Sequence, residues 1–492
     1  MAESALLVGS LTSPPSSVPV ESESIWALEW RADLLGEPSP SDRLDEQRSI
    51  YTLRSRKEGG RSDDLAGDRS RRLVGAASVH DLVDLEAERD LTAEVLAGVP
   101  RDQRIISWHG PAESLGELRR RFEAMAETPA RWYKLVPAAT RPREAVEPLA
   151  LLRTLGRDDV IAFASGEAGA WSRLLAPRLG APVVYAQSQP EPAAPGQLSV
   201  ENLVTDYGLP DLPAVSNLCG IVGRPVHHSL SPRLHNLMYR KLAMDWLYVP
   251  FHVPIFGDFW IDVVERGSLE VLGFDFKALS VTAPFKEIAM AVAGAVSPLA
   301  EHIAAANSLA RRGEVWEAEC TDTEGVTAPL RSRGIVMAGS RAAVVGAGGA
   351  GRAALYALSM EGAVVTLANR SPNRGRRVAL ELGVDFTPLE ELQPESYDVV
   401  VNATPLGVSG SELPFNLDRM RPEAVVVDLA YRRGGATSLV EAVRASGRTA
   451  IDGREVLLYQ AVPQFLWMTG QSLDVEAGRS ALGLPRAGGP AA

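Results

Sequence analysis

The residues of this chain that could do chemistry are concentrated in a few segments. In Trp132-Tyr133-Lys134-Leu135 a single lysine is flanked by apolar residues. Desolvation lowers the pKa of an ammonium group and prepares it to attack a ketone, so Lys134 is a candidate for imine formation. His109 is the candidate acid/base partner, because an imidazole titrates near neutrality. A third segment, Gly346-Ala347-Gly348-Gly349-Ala350-Gly351, fits G-x-G-x-x-G. Its glycines permit a tight turn and let the backbone approach a pyrophosphate at a helix N-terminus. Where an NAD site would place an acid for the ribose 2′-hydroxyl, the sequence has Asn369, Arg370 and Ser371, followed by Arg374. An acid would repel a 2′-phosphate and these groups suit one, which points to NADP.

These groups need elements to position them. Short apolar runs at Ala5–Gly9, Ile25–Trp30, Ser49–Leu53, Leu82–Leu85, Ile105–Trp108, Trp132–Leu135, Val160–Ala164 and Val183–Ala186 alternate with segments of helical period. Strands alternating with helices imply a parallel sheet, and about eight of them suggest a (β/α)8 barrel. Glu29, Arg31, Arg54, Glu86, His109 and Lys134 fall at or near the C-terminal ends of these strands, the rim where such barrels keep their active sites. After residue 217 the pattern changes. Strand signals at Leu218–Val222, Leu247–Phe251 and Ala278–Thr282, with an amphipathic helix at Ser231–Met244, describe a smaller α/β domain. The strand Arg341–Val345, the glycine loop, the helix Arg352–Met360 and the strand Val364–Ala368 describe a Rossmann domain. The expected division is a barrel over 1–208, a linker over 209–216, a substrate domain over 217–330, a dinucleotide domain over 331–452, a returning helix over 453–472 and a tail over 473–492.

The net charge of −12 argues against a nucleic-acid partner and makes individual arginines inside motifs more telling. Two cysteines, Cys219 and Cys320, cannot build a disulfide framework and fit a reducing compartment. Met1 to Ser24 does not read as a secretory signal, and no apolar run is long enough to span a membrane, so a cytoplasmic protein is expected. No spacing of His, Cys and acids suggests a metal site.

The second half, Gly220 to Gly470, resembles shikimate dehydrogenases. The carrying motifs are Gly223-Arg224-Pro225-Val226-His227-His228-Ser229-Leu230-Ser231-Pro232, Val281-Thr282-Ala283-Pro284-Phe285-Lys286, Asn307, Thr321-Asp322, Asn402-Ala403-Thr404-Pro405-Leu406-Gly407, Asp428-Leu429-Ala430-Tyr431, Gly453 and Gln460-Ala461. The resemblance implies that Ser229 and Ser231 hold a substrate carboxylate. It implies that Lys286 with Asp322 is catalytic, and that Thr282, Asn307, Tyr431 and Gln460 contact substrate. It also implies that Asn402 and Thr404 lie near the nicotinamide and that Gly453, at the closing helix, belongs to the cofactor site. His235 and Asn236 complete the pattern, although a polar helix face is the simpler reading of both. Ser280 and Cys320 stand where the family usually has Asn.

The first half, from about Glu29 to Val200, resembles type I 3-dehydroquinate dehydratases. The motifs are Glu29-Trp30-Arg31-Ala32-Asp33, Thr52-Leu53-Arg54 with Glu58-Gly59-Gly60, His109, Lys134, Ser172-Arg173 and Pro195-Gly196-Gln197. The resemblance implies an imine on Lys134, proton transfer by His109 with help from Glu86, and a carboxylate held by Arg173. Glu29, Arg31, Arg54 and Gln197 would bind hydroxyls or organise the site. The chain departs from the pattern at Gly110, Ala164 and Ala193. Together the two resemblances imply one polypeptide that makes 3-dehydroshikimate and then reduces it to shikimate with NADPH. Two rival readings are a non-catalytic barrel beside an active dehydrogenase, and a dehydrogenase preferring quinate and NAD.

Overall fold

The computed structural model describes residues 4–15, 23–39, 42, 47–408, 410 and 412–486. The expected Gly/Pro/Ala tail, Ala487 to Ala492, lies outside the described residues. The chain divides into two compact units, Met1–Leu218 with Asp245–Phe276, and Cys219–Met244 with Lys277–Ala492.

The first unit is built on eight parallel strands: β1 Leu6–Leu11, β2 Ile25–Arg31, β3 Arg48–Thr52, β4 Leu82–Glu86, β5 Arg104–Gly110, β6 Trp132–Pro137, β7 Val160–Ala162 and β8 Val183–Gln187. Their order is β7-β6-β5-β4-β3-β2-β1-β8, so the barrel is hydrogen-bonded all round except at one seam, between β7 and β8. Strand periodicity turns alternate side chains inward. The register then stacks polar residues in the barrel interior: Ser10 lies beside Glu29, Thr52 beside Asp84, and Ser107 beside Lys134. The segment Asp245–Phe276 adds β10, Trp246–His252. The helix before the expected linker ends ahead of residue 209, and the linker's Pro210 is tied back to the first strand's edge. Asp206 and Tyr207 close the helix Val200–Tyr207, and the Ala5 amide donates to the Pro210 carbonyl at 2.9 Å.

In the second unit β9 (Asn217–Gly223), β11 (Asp275–Val281), β13 (Ser308–Arg312), β14 (Val315–Glu319) and β12 (Ala295–Val296) lie side by side in that order. A second sheet runs β17-β16-β15-β18-β19-β20 and is parallel throughout. Its strands are β15 Arg341–Val345, β16 Val364–Asn369, β17 Asp385–Pro388, β18 Val399–Asn402, β19 Val425–Asp428 and β20 Thr449–Ile451. The order reverses between β15 and β18, which opens a crevice at the C-terminal strand ends. Ala342 and Val344 enter the core on one face of this sheet, Ala343 and Val345 the core on the other. Burial on both faces explains why β15 reads as a continuous apolar run. The helix Gly453–Thr469 packs along the helix Asp322–Ser332; a Cβ on Gly325 would sit 2.8 Å from the Val456 carbonyl oxygen, so glycine sets that close approach. Among the described residues no helix is long and apolar enough to cross a membrane.

Candidate functional site

Each unit carries one cavity lined by the residues singled out above. In the barrel a cavity of about 130 Å³ is bounded by Glu29, Arg31, Arg54, His109, Lys134, Arg173 and Gln197. Lys134 is 3% exposed. Its sequence neighbours Tyr133 and Leu135 face away by strand alternation, so its actual surroundings are charged rather than apolar. The Nζ donates to Asp84 Oδ2, lies 4.0 Å from Glu29 Oε1 and sits 4.4 Å from the centre of the Tyr185 ring. Asp84 also accepts from Ser107 Oγ at 2.5 Å and from Arg54, one contact to each carboxylate oxygen at 3.1 Å. Burial alone would raise the pKa of this carboxyl, but Arg54 and Lys134 outweigh it and hold the group down at about 2. Glu29 is fixed by Ser10 Oγ at 2.6 Å and Thr52 Oγ1 at 2.8 Å.

His109 meets Glu58, not Glu86. Glu58 Oε2 lies 3.1 Å from His109 Nδ1, accepts the His109 amide at 3.0 Å and accepts from Arg54 at 3.0 Å. Glu86 is occupied elsewhere: it accepts the Ser55 amide at 2.7 Å and faces Arg69 at 3.4 Å. Glu86 does end β4, whereas Glu58 ends a short turn after β3, Arg56–Glu58, that folds back over the rim. The expectation of a near-neutral imidazole is also corrected. Burial, reinforced by Arg54, Lys134, Arg31 and Arg173, holds the His109 pKa well below its usual value, so the ring is a neutral base. Burial similarly pushes the Glu58 carboxyl up, to about 8, against the pull of Arg54.

Arg173 is 5% exposed, and its Nε has no hydrogen-bond partner among the described residues. Its guanidinium lies over Phe163 at 4.1 Å, and burial lowers its pKa to about 10. A buried, under-partnered guanidinium in a cavity is a receptor for an anion. At the mouth, Gln197 donates to Ser10 Oγ at 3.1 Å and accepts the Ala193 amide, while Arg31 is paired with Asp33. Gly110 departs from the motif for a local reason: a Cβ there would lie 2.1 Å from the Trp108 ring.

In the second unit a cavity of about 170 Å³ is lined by Ser231, Thr282, Lys286, Asn307, Asp322, Tyr431, Gly453 and Gln460. Lys286 Nζ donates to Asp322 Oδ2 at 2.6 Å. Asn307 Nδ2 reaches Asp322 Oδ1 at 2.9 Å and Gln460 Oε1 at 3.0 Å, so one amide ties the carboxylate to the helix Gly453–Thr469. Ser229 does not line this cavity. It is buried, and its Oγ accepts the Ser231 amide at 3.2 Å. His235 and Asn236 are buried rather than on a polar outer face. Ser280 faces the cavity, and Cys320 is buried with its amide donating to Glu319. Gln464 was not singled out from the sequence; it donates to Ser308 Oγ at 2.7 Å and braces Asn307 through its carbonyl.

The glycine loop leads directly into the helix Gly349–Met360. Gly346 has φ +113, which only glycine adopts easily. A Cβ on Gly351 would lie 2.0 Å from the Gly346 carbonyl oxygen, and one on Gly349 2.7 Å from Lys286 Cβ. Beside Gly348 a Cβ would meet nothing, so the backbone is open to a ligand there. Ala347 and Ala350 complete the loop, and Ala350 reaches the cavity. Asn402, at the end of β18, donates to Asp428 Oδ1 and binds Thr404, fixing the loop at the crevice. Arg370 and Ser371 are exposed, and Asn369 donates to the Ser371 carbonyl. Arg374 is engaged: it donates to the Ala347 carbonyl at 3.1 Å and to Glu287 at 2.5 Å.

Comparison with known proteins finds relatives for both halves of the chain. Residues 19–211 match the family model for type I 3-dehydroquinase, residues 221–309 that for the shikimate dehydrogenase substrate binding domain, and residues 331–433 that for shikimate / quinate 5-dehydrogenase. A shikimate dehydrogenase (NADP(+)) from Rubrobacter xylanophilus is 35% identical over 285 residues, 56% of this chain and 98% of the relative. The crystal structure of shikimate dehydrogenase from Aquifex aeolicus is 28% identical, covers 54% of this chain and 97% of its own, and superposes with a TM-score of 0.50. A structure of dehydroquinate dehydratase and shikimate dehydrogenase from S. pombe covers 98% of both chains at 23% identity, with a TM-score of 0.43. A lyase domain and an oxidoreductase domain thus share this polypeptide, and the chain belongs to the shikimate dehydrogenase family, with a type I 3-dehydroquinase domain ahead of the dehydrogenase.

Proposed function

We propose that the chain dehydrates 3-dehydroquinate to 3-dehydroshikimate in the barrel and reduces that product to shikimate with NADPH in the second unit. The observation that carries the first step is the buried Lys134 in one cavity with a neutral His109 and the under-partnered Arg173. Arg173 binds the substrate carboxylate. Lys134 Nζ attacks the ketone carbon, and the carbonyl oxygen leaves as water to give a protonated imine, an electron sink. His109 removes the proton from the adjacent carbon, and the electron pair moves toward the imine. The pair then returns to expel the β-hydroxyl, which takes that proton from His109 and leaves as water. Hydrolysis of the imine takes up one water, offsetting the one released on its formation, and frees Lys134, so the net change is loss of one water. Glu58 orients His109. Asp84, Glu29, Arg54 and Glu86 hold the lysine and its surroundings; Arg31 and Gln197 position the mouth of the cavity.

For the reduction, the open backbone at Gly348 and the Gly346–Gly351 turn fit a dinucleotide pyrophosphate, and Asn369, Arg370, Ser371 and Arg374 a 2′-phosphate. NADPH supplies the hydride when bound. Lys286, held by Asp322, gives a proton to the developing alkoxide. Thr282, Asn307, Gln460 and Tyr431 grip ring hydroxyls and Ser231 the carboxylate, while Ser229 holds the Ser231 amide from behind. Gly453, Asn402 and Thr404 keep the nicotinamide end of the crevice open. Residues 209–216 separate the two activities along the sequence, and the cytoplasm suits two free, buried cysteines. The net charge of −12 supports a small-molecule role with no nucleic-acid partner.

A coupled assay tests the reading. With 3-dehydroquinate and NADPH the wild type should oxidise NADPH. Lys134→Ala should fail from 3-dehydroquinate yet work from 3-dehydroshikimate, and Lys286→Ala should fail from both. A barrel without catalysis would leave wild type and Lys134→Ala alike. Faster turnover of quinate with NAD than of shikimate with NADP would overturn the second step.

A further inference from the structure

A second cavity of the dehydrogenase unit, about 550 Å³ in volume, is unusual for its charge. Six arginines line it: Arg333, Arg444, Arg448, Arg454, Arg479 and Arg486. Only two carboxylates, Asp452 and Glu455, face them, a surplus of four positive charges in a chain whose net charge is −12. The acids are already committed. Asp452 takes Arg454 through both oxygens, at 3.0 and 2.8 Å. Glu455 takes Arg333 at 3.0 and 2.7 Å and also meets Arg479 at 3.5 Å.

The other guanidiniums are held without being fully neutralised, Arg479 having only a share of the Glu455 that Arg333 already takes. Arg448 donates to the Arg421 and Met420 carbonyls at 2.9 and 2.7 Å, and Arg479, 6% exposed, donates to the Pro485 carbonyl at 2.6 Å. Neutral acceptors fix a fork in space and leave its charge in place. The Arg444 and Arg486 side chains form no hydrogen bond or ion pair among the described residues. Like charges gathered round a concavity repel one another and focus a positive field into it, which a bound anion would offset. The volume falls within the range of about 300–1,000 Å³ typical of small-molecule pockets.

We propose that this cavity is a binding site for a small, multiply charged anion of the phosphate class, separate from the dinucleotide and substrate sites. The same helix, Gly453–Thr469, borders both this cavity and the reduction cavity: Arg454 and Glu455 face one, Gly453, Leu457 and Gln460 the other.

The test is calorimetric titration of the full chain with inorganic pyrophosphate at constant ionic strength. Saturating NADP and 3-dehydroshikimate, both oxidised and so unable to exchange a hydride, occupy the dehydrogenase's own anion sites, and 3-dehydroshikimate also that of the barrel. The comparison protein is Arg444→Glu/Arg486→Glu, which removes no hydrogen bond and should keep the wild-type melting temperature and basal shikimate oxidation; Arg444→Ala is the milder control. The expected result is one saturable site, weakened at least about tenfold in the double variant and by less in Arg444→Ala. Equal affinity in the wild type and the double variant, or no saturable binding tighter than about 1 mM in the wild type, overturns the proposal.

Discussion

Both cavities centre on a lysine bonded to an aspartate, and they hold it in opposite ways. In the barrel the Lys134 and Asp84 side chains are 3% and 1% exposed, and Asp84 is gripped in turn by Arg54 and Ser107. In the dehydrogenase the Lys286 and Asp322 side chains are 15% and 14% exposed, and the lysine abuts the glycine loop through Gly349. The difference follows from the tasks proposed for them. A lysine that forms and releases a covalent bond gains from a dry, fully braced setting, where its geometry cannot drift. A lysine that serves as acid to a substrate meeting a cofactor from another lobe must stand at the seam between them. The price of the first arrangement is a buried charge network in which each member depends on the rest.

The comparison can be broken at several points. The largest effect is expected from Lys134→Ala, which should lower dehydratase turnover by roughly 10⁴-fold or more while shikimate oxidation keeps its rate; steady-state assays of the two half-reactions separate the outcomes. Lys286→Ala should show the converse, with oxidation of shikimate reduced about 10²–10⁴-fold and dehydration untouched. Gly349→Ala should cost the dehydrogenase on the order of 10²-fold, because its methyl would displace Lys286, and should spare the barrel. Loss of both activities in any of these three variants would contradict the division of labour.

A smaller effect is expected in pH dependence. The depressed His109 pKa keeps the ring in its basic form below the usual imidazole range, so the acid limb of the dehydratase kcat/KM profile should fall clearly below pH 6.5. The same shift gives a stability contribution present above the unfolded-state value and lost as pH falls below it, so acid unfolding of the barrel should begin there. An acid limb at or above 6.5 would place His109 in a more solvated setting. The smallest change is expected from Glu287→Gln. It frees Arg374 from an exposed ion pair worth about 0.2–1 kcal/mol, so the KM for NADPH should drop by no more than about fivefold, with little change for NADH.

The barrel's strands were legible because each is a short apolar run, and most boundaries fall within two residues of expectation. β7 is shorter than the run Val160–Ala164 because Phe163 and Ala164 leave the ladder while staying buried. The Rossmann loop was legible because its spacing is set by backbone contacts, as at Gly351. Contacts between distant segments were not. Asp84 lies in an apolar strand, and only its two-residue phase with Glu86 marks it as facing inward. Glu58 reaches His109 through a turn whose path no local pattern encodes, and Glu287 meets Arg374 across the glycine loop. The apolar letters around Lys134 misdescribed its surroundings, because strand neighbours point to opposite faces.

The most direct test is borohydride reduction in the presence of 3-dehydroquinate, followed by peptide mass spectrometry. A stable adduct should appear on Lys134 and none on Lys286, and His109→Ala should still form it. A folded protein with Lys134 unmodified, or with label on Lys286, would contradict the covalent role given to the buried lysine.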